Sequence, residues 1–389
     1  SFDVAGHDEV RDLRRLAQLN EDHDQILDLL RAFADSYREW IESTIAGTEV
    51  DAHLVNARNR LANHLERAAN RIDEGIALLG GTSPEAERAR QAFALTNMAM
   101  LMQMHHSRNF AASRRTRAEA SDPNCDYMTV GSGSWRPFQL AFILMTLPSV
   151  TDPEHPDHDT VDLIWFPTGG GKTEAYLGLV AYQVLLRRME MGDEGAGTTV
   201  ITRYTLRLLT TQQFQRSATL ICALELLRRD RDELLGVEPF TIGIWVGGTT
   251  TPNTFVQAVE LLDELKRGEH PNKGFQLEIC PWCGTEVVPE QPLTAGDWGV
   301  YVTNDDFRMN CPNGTCPFHG SLPISVVDQH LYLHPPTFLV ATIDKFARFA
   351  WDERPGVFLG AGRFPGPSLV LQDELHLISG PLGTVAALY

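Results

Sequence analysis

The sequence predicts an α/β protein: an all-helical region is followed by a parallel sheet with helices on both faces, and a cysteine-bearing insertion interrupts that sheet. Three observations predict it. Residues 8 to about 110 repeat apolar side chains at helical spacing and nowhere alternate as a strand does. From about residue 135, short apolar runs alternate with helical patterns, as strands joined by crossover helices do. One of those junctions holds Gly169-Gly170-Gly171-Lys172-Thr173, a glycine run between an apolar run and a helix.

In chain order, Leu13, Leu16 and Leu19, then Ile26, Leu29, Leu30, Phe33, Tyr37, Trp40 and Ile41, mark the apolar faces of helices in a domain spanning residues 1–110. Thr82, Ser83 and Pro84, with Glu85 three residues after Thr82, signal the start of its last helix. That helix runs through Met98, Leu101, Met102 and His105, and its methionines read as core. His105 and His106 are adjacent, face different sides of the helix and so do not share a metal. Residues 111–134 read as a linker, with Arg114, Arg115 and Arg117 as a solvated basic face before Pro123, Gly131 and Gly133. Residues 135–389 form the sheet-bearing domain. Its strands are expected at Val161–Phe166, Thr198–Tyr204, Phe240–Val246, Thr337–Ile343 and Ser368–Gln372, and helices at about 172–190, 206–229 and 253–267. The insertion occupies residues 270–330.

Bulk composition narrows the function classes. With 43% hydrophobic and 22% charged residues, the 389-residue chain can bury a large core and is neither disordered nor collagen-like. It has no apolar run of about 18 residues, and Ser1-Phe2-Asp3 does not open a secretory signal, so a cytoplasmic protein with no membrane partner is expected. A net charge of -18 argues against a surface that grips nucleic acid everywhere; the acidic surface keeps the protein soluble and confines phosphate contacts to a track. Glu154, His155, Asp157, His158 and Asp159, flanked by Pro153 and Pro156, read as a solvated acidic loop.

The expected strand Val161–Phe166 leads through Pro167, Thr168, Gly169, Gly170 and Gly171 into Lys172 and Thr173, then a helix with Leu177, Val180, Ala181, Val184 and Leu185. Three glycines let successive backbone N–H groups turn toward phosphate oxygens, and the helix N-terminus adds a positive end. Lys172 can reach the β and γ phosphates of ATP, and the Thr173 hydroxyl can ligate Mg²⁺. The strict pattern has glycine where this chain has Phe166, outside the cradle itself.

Much later, the apolar run Ser368-Leu369-Val370-Leu371-Gln372 ends in Asp373-Glu374-Leu375-His376. A strand ending in two carboxylates suits a Mg²⁺-nucleotide site: Asp373 holds the metal and Glu374 orients and deprotonates the attacking water. The segments Phe166–Thr173 and Asp373–His376 resemble motifs I and II of superfamily 2 DExH helicases, over roughly residues 135 to 389. The resemblance implies a RecA-like P-loop NTPase lobe, the first of two, with ATP and Mg²⁺ as cofactors. Trp135-Arg136-Pro137-Phe138-Gln139 is similar to the upstream Gln motif, which implies that Gln139 reads the adenine edge. Thr202 to Arg207, Gly247-Gly248-Thr249 and Ala341 to Lys345 are similar to motifs Ia, Ib and Ic, which implies nucleic-acid contacts at Arg203, Thr205, Gly248, Thr249 and Thr342. His376 would couple the nucleotide site to the nucleic-acid site. Thr168 to Leu179 and Asp373 to Gly383 further resemble the helicase subunits of bacterial DISARM anti-phage systems.

Four of the six cysteines form two close pairs, Cys280-Pro281-Trp282-Cys283-Gly284 and Cys311-Pro312-Asn313-Gly314-Thr315-Cys316. In a reducing compartment such pairs point to metal rather than disulfides. Four thiolates in a tetrahedron make a structural Zn²⁺ site with no open position; the tight first knuckle favours zinc over the alternative, an iron–sulfur cluster. His319 is a possible substitute ligand, and Cys125 and Cys222 read as buried thiols.

The expected function is an ATP-dependent helicase or translocase lobe acting on DNA, single-stranded or duplex with an overhang, beside a partner protein subunit of a defence complex. The resemblance also implies that the second RecA-like lobe lies outside this chain and that the chain alone hydrolyses ATP poorly. The alternative is an ATP-gated scaffold, in which the helical domain and the zinc insertion recruit a partner without translocation.

Overall fold

Apolar residues at every third or fourth position build the first helices. In His23–Ala46 (α1) they bury Ile26, Leu27, Leu30, Phe33, Ala34 and Ile41. In Val55–Gly80 (α2) the buried positions are Ala69, Arg71, Ile72, Gly75, Ile76 and Leu79. Pro84–Phe110 (α3) starts where Ser83, rather than Thr82, accepts the Ala86 N–H at 3.2 Å. Pro137–Thr151 (α4) has proline at its first position, where the missing N–H costs nothing. Lys172–Met191 (α5) is buried over most of its surface, from Ala175 to Leu186.

The computed structural model describes residues 7–47, 51–110, 124–165, 170–204, 211–269, 271, 274–290 and 294–373. The chain divides into two units, Ser1–Leu101 with Gly131–Leu186, and Met102–Val130 with Arg187–Tyr389.

The first unit holds α1, α2, most of α3, α4 and the start of α5. Its helices meet backbone to backbone at Gly75, where a Cβ would lie 2.0 Å from the Leu144 carbonyl oxygen of α4. The chain entering α4 is tied to residues 11–13: Trp135 N–H donates to the Arg11 carbonyl at 2.9 Å, and Leu13 N–H to the Gly133 carbonyl at 3.0 Å.

The second unit is built on a five-stranded sheet. Val200–Tyr204 (β1), Ile242–Trp245 (β2), Ile324–Ser325 (β5), Phe338–Thr342 (β6) and Leu369–Gln372 (β7) lie in the order β5-β2-β6-β1-β7, every pair parallel. Parallel neighbours need crossovers, and Thr211–Arg229 (α6) and Phe255–Lys266 (α7) follow β1 and β2 as expected. A separate antiparallel pair, Val300–Val302 (β3) with Phe307–Met309 (β4), stands in the insertion, and the short helix Asp328–Leu333 (α8) precedes β6. The core gathers on Trp245, whose ring meets Phe346 and Phe358 edge-on at 5.4 and 5.3 Å. The last turn of α5 adds two buried guanidiniums. Arg187 donates to the carbonyls of Pro365 and Gly366 at 2.9 and 2.7 Å, and Arg188 to those of Leu235 and Glu238 at 3.0 and 2.5 Å. Burial lowers Arg188 to a pKa of about 10, so it keeps its charge at neutral pH.

One expected strand is corrected. Residues 161–165 of the expected strand Val161–Phe166 form none, and Val161, Leu163 and Trp165 are 90%, 71% and 91% exposed. An apolar run makes a strand only when a neighbour supplies the ladder, and among the described residues this segment has none. The acidic loop is corrected in part: Asp157 is held by Arg67 and Arg71, and His158 Nδ1 lies 2.9 Å from the Ser149 carbonyl oxygen. No helix among the described residues is long and apolar enough to cross a membrane.

Candidate nucleotide site and thiolate centre

Of the sequence-predicted site residues, Thr168, Gly169, Thr205, Glu374 and His376 lie outside the described residues. The remainder fall into three places.

The first is the start of α5, in the first unit. Gly171 has φ +86°, a left-handed conformation that glycine adopts without strain, and it hands the chain to Lys172 as the first helical residue. Gln139 of α4 donates from Nε2 to the Gly171 carbonyl at 2.6 Å, while its Oε1 accepts the Arg136 N–H at 2.7 Å. Arg136 donates from its guanidinium to the Gly170 carbonyl at 2.7 Å, a contact that the Gln motif did not single out. Trp135 fixes this segment: it is buried, its Nε1 donates to Asn97 Oδ1 at 2.8 Å, and its ring presses on Gly178, where a Cβ would come within 2.8 Å. The Thr173 hydroxyl accepts from the Tyr176 hydroxyl at 3.2 Å. Arg136 and Gln139 thus hold the Gly170 and Gly171 carbonyls at the N-terminus of a long helix, whose end carries a partial positive charge.

The second place is the carboxyl edge of the sheet, in the second unit. The register aligns Tyr204 with Thr342 and Arg203 with Gln372. Asp373 extends the ladder by one bond, its N–H donating to the Arg203 carbonyl at 3.2 Å. The Gly247–Thr249 segment follows β2 directly and closes in a turn through Thr250 N–H and the Gly247 carbonyl at 2.8 Å. Arg203, Gly248, Thr249, Thr342 and Asp373, drawn from four separate segments, therefore end at one edge of the sheet. Outside the carboxyl ends of parallel strands is where open α/β sheets take ligands. Thr249 is exposed, whereas Thr342 is 1% exposed and its hydroxyl is buried. Burial lowers the Arg203 pKa, and its guanidinium carbon sits 5.9 Å from the Phe346 ring centre.

The third place is the cysteine quartet of the insertion. The sulfurs of Cys280, Cys283, Cys311 and Cys316 lie within 4.8 Å of one another and are all buried. Cys283 and Cys311 are 3.4 Å apart, and Cys280 and Cys316 4.0 Å. Thiolates about 2.3 Å from a shared tetrahedral ion stand at such separations, so the four can hold a metal. Each knuckle turns tightly: Gly284 N–H donates to the Cys280 carbonyl at 3.0 Å with Gly284 at φ +79°, and Cys316 N–H to the Asn313 carbonyl at 3.0 Å. His319 stands outside this cluster, and its Nδ1 lies 2.8 Å from the Cys311 carbonyl oxygen. Burial drives Cys280 well up, while hydrogen bonding from Cys280 first, then Cys311 and Cys316, drives Cys283 far down. Trp282, between Cys280 and Cys283, stacks on His106 at 3.8 Å, and His106 Nε2 lies 2.8 Å from the Tyr127 hydroxyl. Of the other cysteines, Cys222 is buried and Cys125 half-buried, its sulfur 3.8 Å from His105 Nε2.

Fold and site together define an α/β protein with a parallel sheet, a glycine-led helix start and a four-cysteine centre. No protein-family profile matches the chain. It resembles the DISARM protein DrmA of Bacillus paralicheniformis, with 34% identity over 408 aligned positions that cover 94% of this chain and 35% of that protein. The chain thus spans about a third of the length of the curated relative it matches.

Proposed function

We propose that this chain carries the first RecA-like lobe of a superfamily 2 DExH motor that couples ATP hydrolysis to movement on DNA in DISARM anti-phage defence, in the cytoplasm. The observation that carries the reading is the convergence of Arg203, the Gly247–Thr249 turn, Thr342 and Asp373 on one sheet edge, each from a segment that resembles a different motor motif. The similarity to DrmA supports the defence role and a partner subunit in the same complex. Residues 1–110 are read as a helical domain, 111–134 as a linker, 135–389 as the lobe and 270–330 as its zinc-binding insertion.

In this reading Gln139 recognises the adenine edge. Thr168, Gly169, Gly170 and Gly171 cradle the phosphates, and Lys172 neutralises the β and γ groups. Thr173 and Asp373 hold Mg²⁺, which when bound offsets the charge that develops on the transferred phosphoryl group. Glu374 takes the proton of the attacking water, and His376 links that event to the nucleic-acid track. Arg203, Thr205, Gly248 and Thr249 line the track, a narrow path on an acidic protein, and Thr342, whose hydroxyl is buried, supports it from the end of its strand. Cys280, Cys283, Cys311 and Cys316 hold Zn²⁺, which ties the insertion's two knuckles together and takes no part in hydrolysis.

The test is ATP turnover by the full-length protein with and without single-stranded DNA at low salt, using Lys172→Ala as the blank. Stimulation by DNA supports the motor. Turnover indifferent to DNA and RNA overturns it in favour of the ATP-gated scaffold.

A further inference from the structure

We propose that Arg71 and Gly75 of α2 are positioning residues for the phosphate loop, so that the N-terminal helical region is a working part of the nucleotide site rather than an appended recruitment module. The inference rests on the nucleotide reading above and concerns how that site is held.

Arg67, Arg71 and Gly75 are spaced four residues apart and so share one face of α2. Arg71 grips Asp162 with both terminal nitrogens, at 2.5 and 2.8 Å, and reaches Asp157 from Nε at 3.3 Å; Arg67 also pairs with Asp157. The Arg71 side chain is 7% exposed, and the Asp162 hydrogen bonds, opposed by burial, raise its pKa. A planar, charge-assisted fork kept from water fixes both position and angle. Asp162 belongs to the segment that runs into the phosphate loop, and this segment has no ladder of its own among the described residues.

One helical turn further on, Gly75 lets α2 touch the backbone of α4 at Leu144, a distance no side chain can enter. The first turn of α4 carries Gln139, which holds the Gly171 carbonyl. The same face of α2 thus reaches the loop from both sides: through Asp162 before it, and through α4 and Gln139 after it. A helical region that served only to recruit a partner needs neither contact.

Asp162→Asn and Gly75→Ala in the full chain test this by titration with a fluorescent ATP analogue and Mg²⁺, and by comparing ATP with GTP. Asp162→Asn is expected to weaken ATP binding about tenfold, since small misplacements of a binding loop cost that much or more. Gly75→Ala is expected to erode the preference for ATP over GTP, because Gln139 moves with α4; general loosening would weaken both nucleotides alike. Wild-type affinity and discrimination in both variants would overturn the proposal. Should either variant fail to fold, hydrogen exchange on the wild-type chain decides: saturating ATP with Mg²⁺ must slow amides near Arg71 and in residues 155–162, because coupling is reciprocal. Unchanged protection there rejects it. Binding lost in Lys172→Ala but wild-type in both Asp162→Asn and Gly75→Ala sinks this inference alone, whereas a wild-type chain that binds no ATP removes the nucleotide reading with it.

Discussion

The side-chain amide of Gln139 donates to the Gly171 carbonyl at 2.6 Å, at a residue whose φ of +86° only glycine holds without strain. A Cβ on Gly171 would stand 2.8 Å from Gln139 Nε2 and 3.4 Å from Glu174 Oε2. Gly171→Ala therefore meets two penalties at once, a left-handed backbone worth about 1–2 kcal/mol and the displacement of Gln139. Since 1.4 kcal/mol is a factor of ten in affinity, ATP binding should fall about tenfold or more. Calorimetric titration of the variant checks this; unchanged affinity would mean that the loop does not bind phosphate in this conformation.

The thiolate centre makes a second prediction. Purified protein should hold one zinc per chain, and Cys283→Ser or Cys311→Ser should lose it, because three thiolates no longer close the tetrahedron. Strong chelation should also expose Trp282, which is buried between two ligands and stacked on His106, and shift its fluorescence to longer wavelength. Iron with visible absorbance in place of zinc would establish a cluster instead.

Much of this was legible because it is local. The strands β1, β2, β6 and β7 lie inside the expected segments, shortened at their ends, and the cysteine quartet assembles as its spacing implied. What was not legible is long-range or depends on a partner. Arg71 and Asp162 are 91 positions apart, and nothing in either neighbourhood announces the other. The apolar run through Val161, Leu163, Ile164 and Trp165 reads as a strand, yet pairing is a property of two segments and a run in one reports on that one alone. Thr342 sits in a motif that resembles a nucleic-acid contact, but its place at the end of a buried strand hides its hydroxyl.

Glu225 of α6 is 2% exposed and accepts four hydrogen bonds: two from Arg228 at 2.8 Å, one from Arg229 at 2.9 Å and one from the Phe240 N–H at 2.9 Å. Burial raises its pKa, but Arg228, Phe240 N–H and Arg229 together pull it below the ordinary value. Its contribution is present above the unfolded carboxylate pKa and is lost as pH falls through the depressed folded value. Glu225→Gln removes the charge and leaves a buried guanidinium short of its partner, which should cost about 3–5 kcal/mol. Urea unfolding near neutral pH measures it, and a cost under about 1 kcal/mol, the range of surface pairs, would show that water reaches Arg228.

The acid stability of the second unit should depend on His330. Burial first, then the neighbouring His334, pushes its pKa down to about 4 against the opposing pull of Asp306. Its Nδ1 lies 2.9 Å from the Ser325 hydroxyl, and the rings of Phe255 and Phe307 meet it edge-on at 6.4 and 6.0 Å. For a base whose folded pKa is depressed, the unfolded chain takes up the proton first. Stability is therefore intact above about pH 6.5, falls as pH drops below it, and stops falling near pH 4, where the folded protein is protonated too. Between pH 7 and pH 5 this one side chain should cost about 2 kcal/mol. His330→Gln keeps a polar partner near Ser325 but cannot titrate, so its urea midpoints at the two pH values should lie closer together by that amount. An identical pH dependence in the variant and the wild type would mean that His330 is hydrated in solution and that the acid sensitivity comes from the carboxylates.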